Sequence, residues 1–239
     1  GQDVLQSKSY LWKGHRKSIR EILKKAALVL PNSEAENKRL REVFEVEPDY
    51  SVVHFGVDTA MFCPDQTAIR DNMMVVCAAR IEGIKNQLNL IKALNNTAYT
   101  LLLIGSPAPN QKSYYDECRK IAAGNIIFKD RIPQAELIQY YKKAKVHALP
   151  SWFETCGLST LEAAAMGCNV TITDKGYTKE YFGSEAFYCD PGKPESIFDG
   201  IDRAAKTDCQ TALQEKILRN YTWQNAARAT SDAYKKIIS

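Results

Sequence analysis

Four side chains stand out for the chemistry they could do together: Arg80 and Lys85 in "ARIEGIKN", Glu154 and Glu162 in "SWFETCGLSTLEA". Arginine forks onto two anionic oxygens and lysine adds a compact charge, so this pair at a helix start suits a diphosphate. The glutamates lie eight residues apart, with Gly157 between them and a helical pattern beginning near Leu158. Glu154 then sits in a loop over a crevice, and Glu162 one turn down its wall. The first N–H groups of that helix point at whatever fills the crevice. Paired carboxylates also serve glycoside hydrolysis. Two cations and a helix start at one mouth call instead for a bound anion, which hydrolysis does not need. Cys156 shares the loop, but none of His15, His54 and His147 is placed to activate it, so it reads as a small filler. A further cluster, "TDKGYTKEYFG", brings Gly176 and Glu180 toward the same mouth.

Such residues need a frame that gathers strand ends. From Met73 onward the chain alternates apolar runs ("MMVVCAA", "YTLLLIG", "NIIF", "KVHALP", "NVTIT", "AFYC") with helical patterns at 85–95, 111–122, 134–144, 158–166 and 178–182. Nearly continuous apolar strands separated by helices predict an α/β fold, a doubly wound parallel sheet covered on both faces. Ligands of such sheets bind at the carboxyl ends of the strands, where all three clusters fall. Thr222 is the expected N-cap of a last helix whose stripe, Trp223, Ala226, Ala227, Thr230, Tyr234 and Ile237, is expected to pack. Near the start, a helix over about 9–26, a strand "ALVLP" and a helix opened by the Ser33/Glu36 capping box form too little for an independent domain. The expected division is a tail of a second α/β domain over 1–50, a link over 51–66, and a ligand-binding domain over 67–239.

Composition limits the alternatives. At 239 residues, 45% hydrophobic and 25% charged, the chain has the make-up of an ordinary globular protein. A net charge of +4 is too small to suggest nucleic acid, and no apolar run approaches the roughly 20 residues of a membrane helix. Seven cysteines without paired spacing suggest free thiols in a reducing cytoplasm, and no His/Cys cluster suggests a metal. Between Lys8 and Lys25 the chain has seven basic residues and one acid, Glu21, alongside Leu11, Trp12, Ile19, Ile22 and Leu23. That segment reads either as a face for anionic lipid or as a solvated helix surface.

"RIEGIK" and "SWFETCGLSTLEA", with their glutamates in E-x7-E spacing, resemble the donor half of retaining glycosyltransferases of family 4, which have the GT-B fold. The order of "VLPNSEAENKRL", "GVDTAMF", "LLLIGSP", "TDKGYTKEYFG", "YCDPGKP" and "YTWQNAA" agrees, so the likeness runs from about Ala26 to the end. The resemblance implies that Arg80 and Lys85 hold a nucleoside diphosphate and stabilise it as leaving group. It implies that Glu162 takes the ribose hydroxyls and Glu154 the transferred sugar, helped by backbone N–H groups around Cys156, Gly157 and Leu158. The base would rest near Ile132 in "DRIP". The substrate implied is a UDP- or GDP-sugar, used without cofactor or metal, and the acceptor a glycan or lipid-linked molecule in surface polysaccharide or glycoconjugate synthesis. Phe55 departs from the usual linker asparagine, "GSPAP" from a Gly-x-Gly turn, and Lys175-Gly176 from a pair of glycines.

A GT-B enzyme reacts between two domains, and most of the acceptor side is absent from this stretch, so the expectation is donor binding with little transfer by this chain alone. Two other readings stand beside it: a non-catalytic nucleotide-sugar subunit or sensor working with a partner chain, and a dehydrogenase or epimerase. The last lacks a G-x-G-x-x-G after the first strand, where "CAARIEG" stands. The expected location is the cytoplasm, at the inner membrane face if the basic start binds lipid.

Overall fold

Six runs with little polar interruption become six parallel strands, because a strand covered by helices on both faces has no polar side to show. The computed structural model describes residues 13–65 and 67–238. The strands are β1 (Asp71–Ala78), β2 (Thr100–Ile104), β3 (Ile126–Lys129), β4 (Ala144–Leu149), β5 (Asn169–Thr173) and β6 (Phe187–Cys189). Their order in the sheet is β3-β2-β1-β4-β5-β6. Val75 pairs with Leu101 on one side and Val146 on the other, and Val146 pairs with Asn169. The chain therefore steps outward from β1 to β3, returns beside β1 as β4, and steps outward the other way. That reversal opens a crevice at the carboxyl ends of β1 and β4.

The helices are α1 (Lys13–Lys25), α2 (Glu34–Phe44), α3 (Gln87–Leu94), α4 (Lys112–Ile121), α5 (Gln134–Lys143), α6 (Leu158–Ala165), α7 (Thr178–Phe182), α8 (Pro194–Lys206), α9 (Thr211–Asn220) and α10 (Trp223–Ile238). A single 3-10 turn, Gly83–Lys85, precedes α3. α3, α4 and α8 associate on one face, with α8 lying across β4, β5 and β6; α5, α6 and α9 cover the other. The core between them is fully buried at Val75, Val76, Leu101, Val146, Ile172, Ile197 and Ile201.

Sequence patterning did not predict α8 and α9, although Ile197, Ile201, Ala204 and Ala205 carry a helical period and are buried. "ALVLP" forms no named strand: Val29 makes one parallel bridge to Tyr50, and the Val53 N–H donates to Pro31 O at 2.9 Å. The capping box is present in altered form. The Glu36 N–H donates to Ser33 Oγ at 3.0 Å, but the Glu36 carboxylate takes the N–H of Asn32 at 2.6 Å. Thr222 Oγ1 caps α10 by accepting from Asn225 N–H at 3.1 Å. The stripe expected to pack there is instead open: Trp223 is 59% exposed and Tyr234 57%, while Ala233 is buried. A stripe shows that one face is apolar and leaves open what covers it.

The N-terminal helices have a small cluster of their own, Leu23, Val43, Phe44 and Val46, separate from the main core. Part of the basic segment, from Lys8 through Trp12, lies outside the described residues. Within α1, Arg16 and Arg20 turn to the last residues of α2, donating to Val43 O and Glu45 O, as cations at a helix C-terminus should. Gly56 joins the link to the last helices: an added Cβ would lie 2.3 Å from the Thr222 carbonyl carbon. Val57 N–H donates to Tyr221 O at 2.9 Å, and Val57 and Phe62 enter the main core.

Arg70 holds the lower end of the second face together. Its guanidinium donates to Tyr141 O at 2.8 Å, Ala144 O at 2.7 Å and Met166 O, which satisfies carbonyls at the ends of α5 and α6. Replacing Arg70 by Met should cost about 2–3 kcal/mol in urea denaturation, since charged hydrogen bonds to half-buried carbonyls are lost. An unchanged midpoint would contradict that role.

Candidate functional site

Two turns build the site, one after β1 and one after β4. In the first, Arg80 and Ile81 leave the strand and are tied to the turn after β2. Ile81 N–H donates to Ser106 O at 3.0 Å and Ala108 N–H to Ile81 O at 3.1 Å. Gly105 allows this approach, with φ +149° and room for no Cβ, which would sit 2.0 Å from Ala79 O. The 3-10 turn then carries Lys85, and Asn86 follows in the left-handed region at φ 59°.

Asn86 is the residue that brings the two turns together. Buried, it donates through Nδ2 to Pro150 O at 3.0 Å and to Pro191 O at 2.8 Å. Trp152 N–H adds a bond to Ile84 O at 2.9 Å. The β4 turn therefore lies directly against the β1 turn. Glu154 is fixed from its other side by the turn after β5: its N–H donates to Lys175 O at 3.1 Å, and its carbonyl accepts from Tyr177 N–H at 3.0 Å. Gly176 opposes it there at φ +103°, where a Cβ would meet Glu154 O at 2.0 Å.

The outcome is an ion pair. Lys85 Nζ lies 2.7 Å from Glu154 Oε2, with the two side chains 21% and 9% exposed, and Ser151 Oγ donates to the same oxygen at 3.2 Å. Beside this pair begins α6, whose N-cap position is Gly157 at φ 74°, without a capping side chain. Gly157 O accepts from Thr160 and Leu161, so the N–H groups of Leu158 and Ser159 have no acceptor within the helix and give that end a partial positive charge. Lys85, Glu154, Cys156, Gly157 and Leu158 line one cavity of about 250 Å³, with Phe55 as an aromatic wall. Arg80 and Ile132 line an adjoining cavity of about 960 Å³, with Ser106, Pro109 and Arg131. Ala78, Ala79 and Ser159 belong to both.

Seven of the eight residues expected from the sequence thus surround two connected hollows. Arg80 is 70% exposed, with Nη2 3.0 Å from Glu82 Oε1. Both cations face carboxylates that an incoming anion would have to displace. Glu162, the eighth, lines neither cavity. It sits one turn below Leu158, and burial raises its carboxyl to about 7, a rise that the Tyr141 hydroxyl reduces. Burial also pushes the Cys156 thiol well up, so it is no nucleophile at neutral pH. His147 lies inside the sheet, pulled down to about 3 by burial and therefore neutral.

Glu180 departs from expectation. It turns from the crevice to the start of α2, where it accepts from the N–H groups of Glu34 at 2.9 Å and Ala35 at 3.1 Å, and its Oε1 lies 2.8 Å from His54 Nε2. Unfilled helix donors there outcompete the crevice. Sequence reasoning also missed Asn86, Ser159 and Arg131. The partners of Asn86 lie 64 and 105 residues away, so no local pattern identifies it. Among the described residues no group of three or more His, Cys, Asp or Glu could hold a metal, and no helix is long and apolar enough to cross a membrane.

The sheet order and crevice are those of a Rossmann-like α/β domain of the GT-B type. The chain belongs to the family described as glycosyl transferases group 1, whose profile matches residues 64–226. Among curated relatives, it is 24% identical to the D-inositol 3-phosphate glycosyltransferase of a Nocardioides species, over 90% of this chain and 55% of that protein. It is 26% identical to an uncharacterized glycosyltransferase of Methanocaldococcus jannaschii, over 69% and 45%. The chain thus spans about half the length of the curated relatives it matches. Sucrose-phosphate synthase from Thermosynechococcus elongatus has the same fold, with TM-score 0.84 and 20% identity over 97% of this chain and 63% of that one. So does Anabaena HepE in complex with UDP and glucose, at 0.76 and 18%, over 100% of this chain and 70% of that one.

The raised Glu162 carboxyl gives a stability test. Its folded pKa of about 7 lies above the ordinary 4.5, so its contribution to stability is full below about 4.5 and is lost as pH rises through 7. Glu162→Gln removes that penalty, and thermal melts should show the variant more stable at pH 8 by roughly 3 kcal/mol, with the difference vanishing near pH 4.5. Equal melts at pH 8 would place the carboxyl in water.

Proposed function

We propose that this chain is the donor-binding part of a retaining glycosyltransferase of family 4. The enzyme transfers a hexosyl unit from a UDP- or GDP-sugar to a glycan or lipid-linked acceptor in surface polysaccharide or glycoconjugate synthesis. The single observation that carries the reading is the Lys85–Glu154 pair beside the uncapped start of α6. It sets a half-buried cation, free N–H groups and a hydroxyl-accepting carboxylate around one small cavity.

In this reading the diphosphate lies across the residues common to both hollows, near Ser159 and the start of α6. Arg80 reaches it from the larger cavity and Lys85 from the smaller. The base occupies the larger hollow near Ile132, and Glu162 accepts from the ribose hydroxyls at the α6 wall. The sugar enters the smaller hollow, where Glu154 trades part of its bond with Lys85 for sugar hydroxyls. Negative charge grows on the phosphate oxygen as the glycosidic bond breaks, and fixed cations and helix N–H groups stabilise it with little rearrangement. This scheme asks for no cofactor and no metal. Glu154 contributes orientation rather than proton transfer, its carboxylate being held in place by Lys85 and Ser151.

The acceptor, in this proposal, is held by a further domain corresponding to the part of the relatives that this chain does not span. Residues 1–50 are the tail of that domain, 51–66 the link and 67–239 the donor domain. The separate apolar cluster of α1 and α2 supports the division. Lys17, Lys24 and Lys25, exposed on α1, extend the basic start as a site of contact with the inner face of an anionic membrane.

Calorimetric titration with UDP, GDP and ADP tests the reading. One of the three should bind, and Lys85→Ala should weaken it by about 10- to 100-fold, the worth of a charged hydrogen bond, while barely changing the affinity of the matching nucleoside. No binding by any of them, or equal losses for nucleoside and diphosphate, would contradict it.

A further inference from the structure

At the opposite end of the sheet from the donor crevice, Lys145 presents an anomaly. It is 7% exposed at the second position of β4, and among the described residues no carboxylate lies within ion-pair distance of its amine. The polar partner found for Nζ is Cys209 Sγ, at 3.7 Å. Amines seldom stand buried without a counter-ion, because desolvation of the charge is uncompensated. Cys209 differs from most cysteines of the chain in being exposed; Cys77, Cys118, Cys156, Cys168 and Cys189 are all buried. One partner is thus open to solvent oxidants, and the other is a shielded amine aimed at its sulfur.

The separation is held by the fold. Cys209 lies in the connection between α8 and α9, and Asn169 of β5 clamps that connection. Asn169 Nδ2 donates to Ala204 O at 2.7 Å, Thr207 O at 3.0 Å and Asp208 O at 3.2 Å, while its Oδ1 accepts from Gln210 N–H at 3.0 Å. A cavity of about 210 Å³, lined by Lys145 with Asn72, Tyr99, Thr207 and Asp208, leaves the amine room to move.

We propose that Lys145 and Cys209 form a reversible covalent cross-link under peroxide. Peroxide first oxidises the thiol, giving the sulfenic acid and one water. The Lys145 amine, after giving its ammonium proton to solvent, then attacks that sulfur. The S–O bond breaks, an S–N bond forms, and the hydroxyl leaves with the amine proton as a second water. Hydrogen peroxide is the only oxidant, thiol sulfur gives up the two electrons, and a dithiol returns the product to free amine and thiol. The link ties the α8–α9 connection to the central strand, 64 positions earlier in the chain.

The test is peptide mapping of the full chain after dilute hydrogen peroxide. The expected product joins the Lys145 and Cys209 peptides at a mass about 2 Da below their sum. Tryptic cleavage after Lys145 should be lost, and dithiothreitol should restore both peptides. Cys209→Ser and Lys145→Arg should each abolish the joined species. The oxidised wild-type chain should melt at a higher temperature than the reduced one, without need of any variant. Cys209 found as unlinked sulfinic acid, or in a disulfide with Cys168 or Cys63, with Lys145 still cleaved, would overturn the proposal.

Discussion

The site depends on an ion pair that the fold must hold shut. Lys85 and Glu154 come from different turns, 69 residues apart, and meet at 2.7 Å with little exposure on either side. Removing such charges from water is costly, and their attraction repays it only when position is fixed and remaining hydrogen bonds are satisfied. Each of those conditions is visible. Asn86 ties the β1 turn to the β4 turn through Pro150 O and to the turn after β6 through Pro191 O, Ser151 occupies a lone pair of the glutamate, and the Gly176 bridge fixes the glutamate backbone. Loosening any of these leaves a buried charge in search of a partner.

That arrangement explains the value of the sheet order. Only because β4 returns beside β1 do their two following turns share a mouth. The same return places the start of α6 next to Lys85, so a helix end and a lysine act on one point. In the proposed reading, a diphosphate would compete with Glu154 for the lysine and with Glu82 for Arg80, so that the carboxylates would occupy the cations until an anion arrives. Glu162 works differently: half-buried on the α6 wall, it is raised to about 7 by burial, and the Tyr141 hydroxyl offsets only part of that rise.

Much of this was legible in the chain because the signals were local. Continuous apolar runs such as "TLLLI" and "MMVVCA" mark covered strands, and the residues after them lie toward the crevice. That rule places Arg80, Lys85, Glu154 and Gly157 near the mouth, and the family resemblance supplies their roles. What stayed hidden was set by distant partners. Asn86 and Arg70 look like ordinary polar residues until carbonyls far along the chain reach them. Glu180 lies near the mouth by position but is claimed by the start of α2, across 146 residues. The period of α8 is present in Ile197, Ile201, Ala204 and Ala205, and the proline at its start suits the first turn of a helix.

The most direct test is a crystal structure of this chain with the nucleoside diphosphate that binds it. The account predicts the distal phosphate between Lys85 Nζ and the N–H groups of Leu158 and Ser159, with the glutamate carboxylate parted from the lysine and turned into the smaller cavity. Phosphates bound elsewhere, with the Lys85–Glu154 pair intact at its present distance, would contradict it.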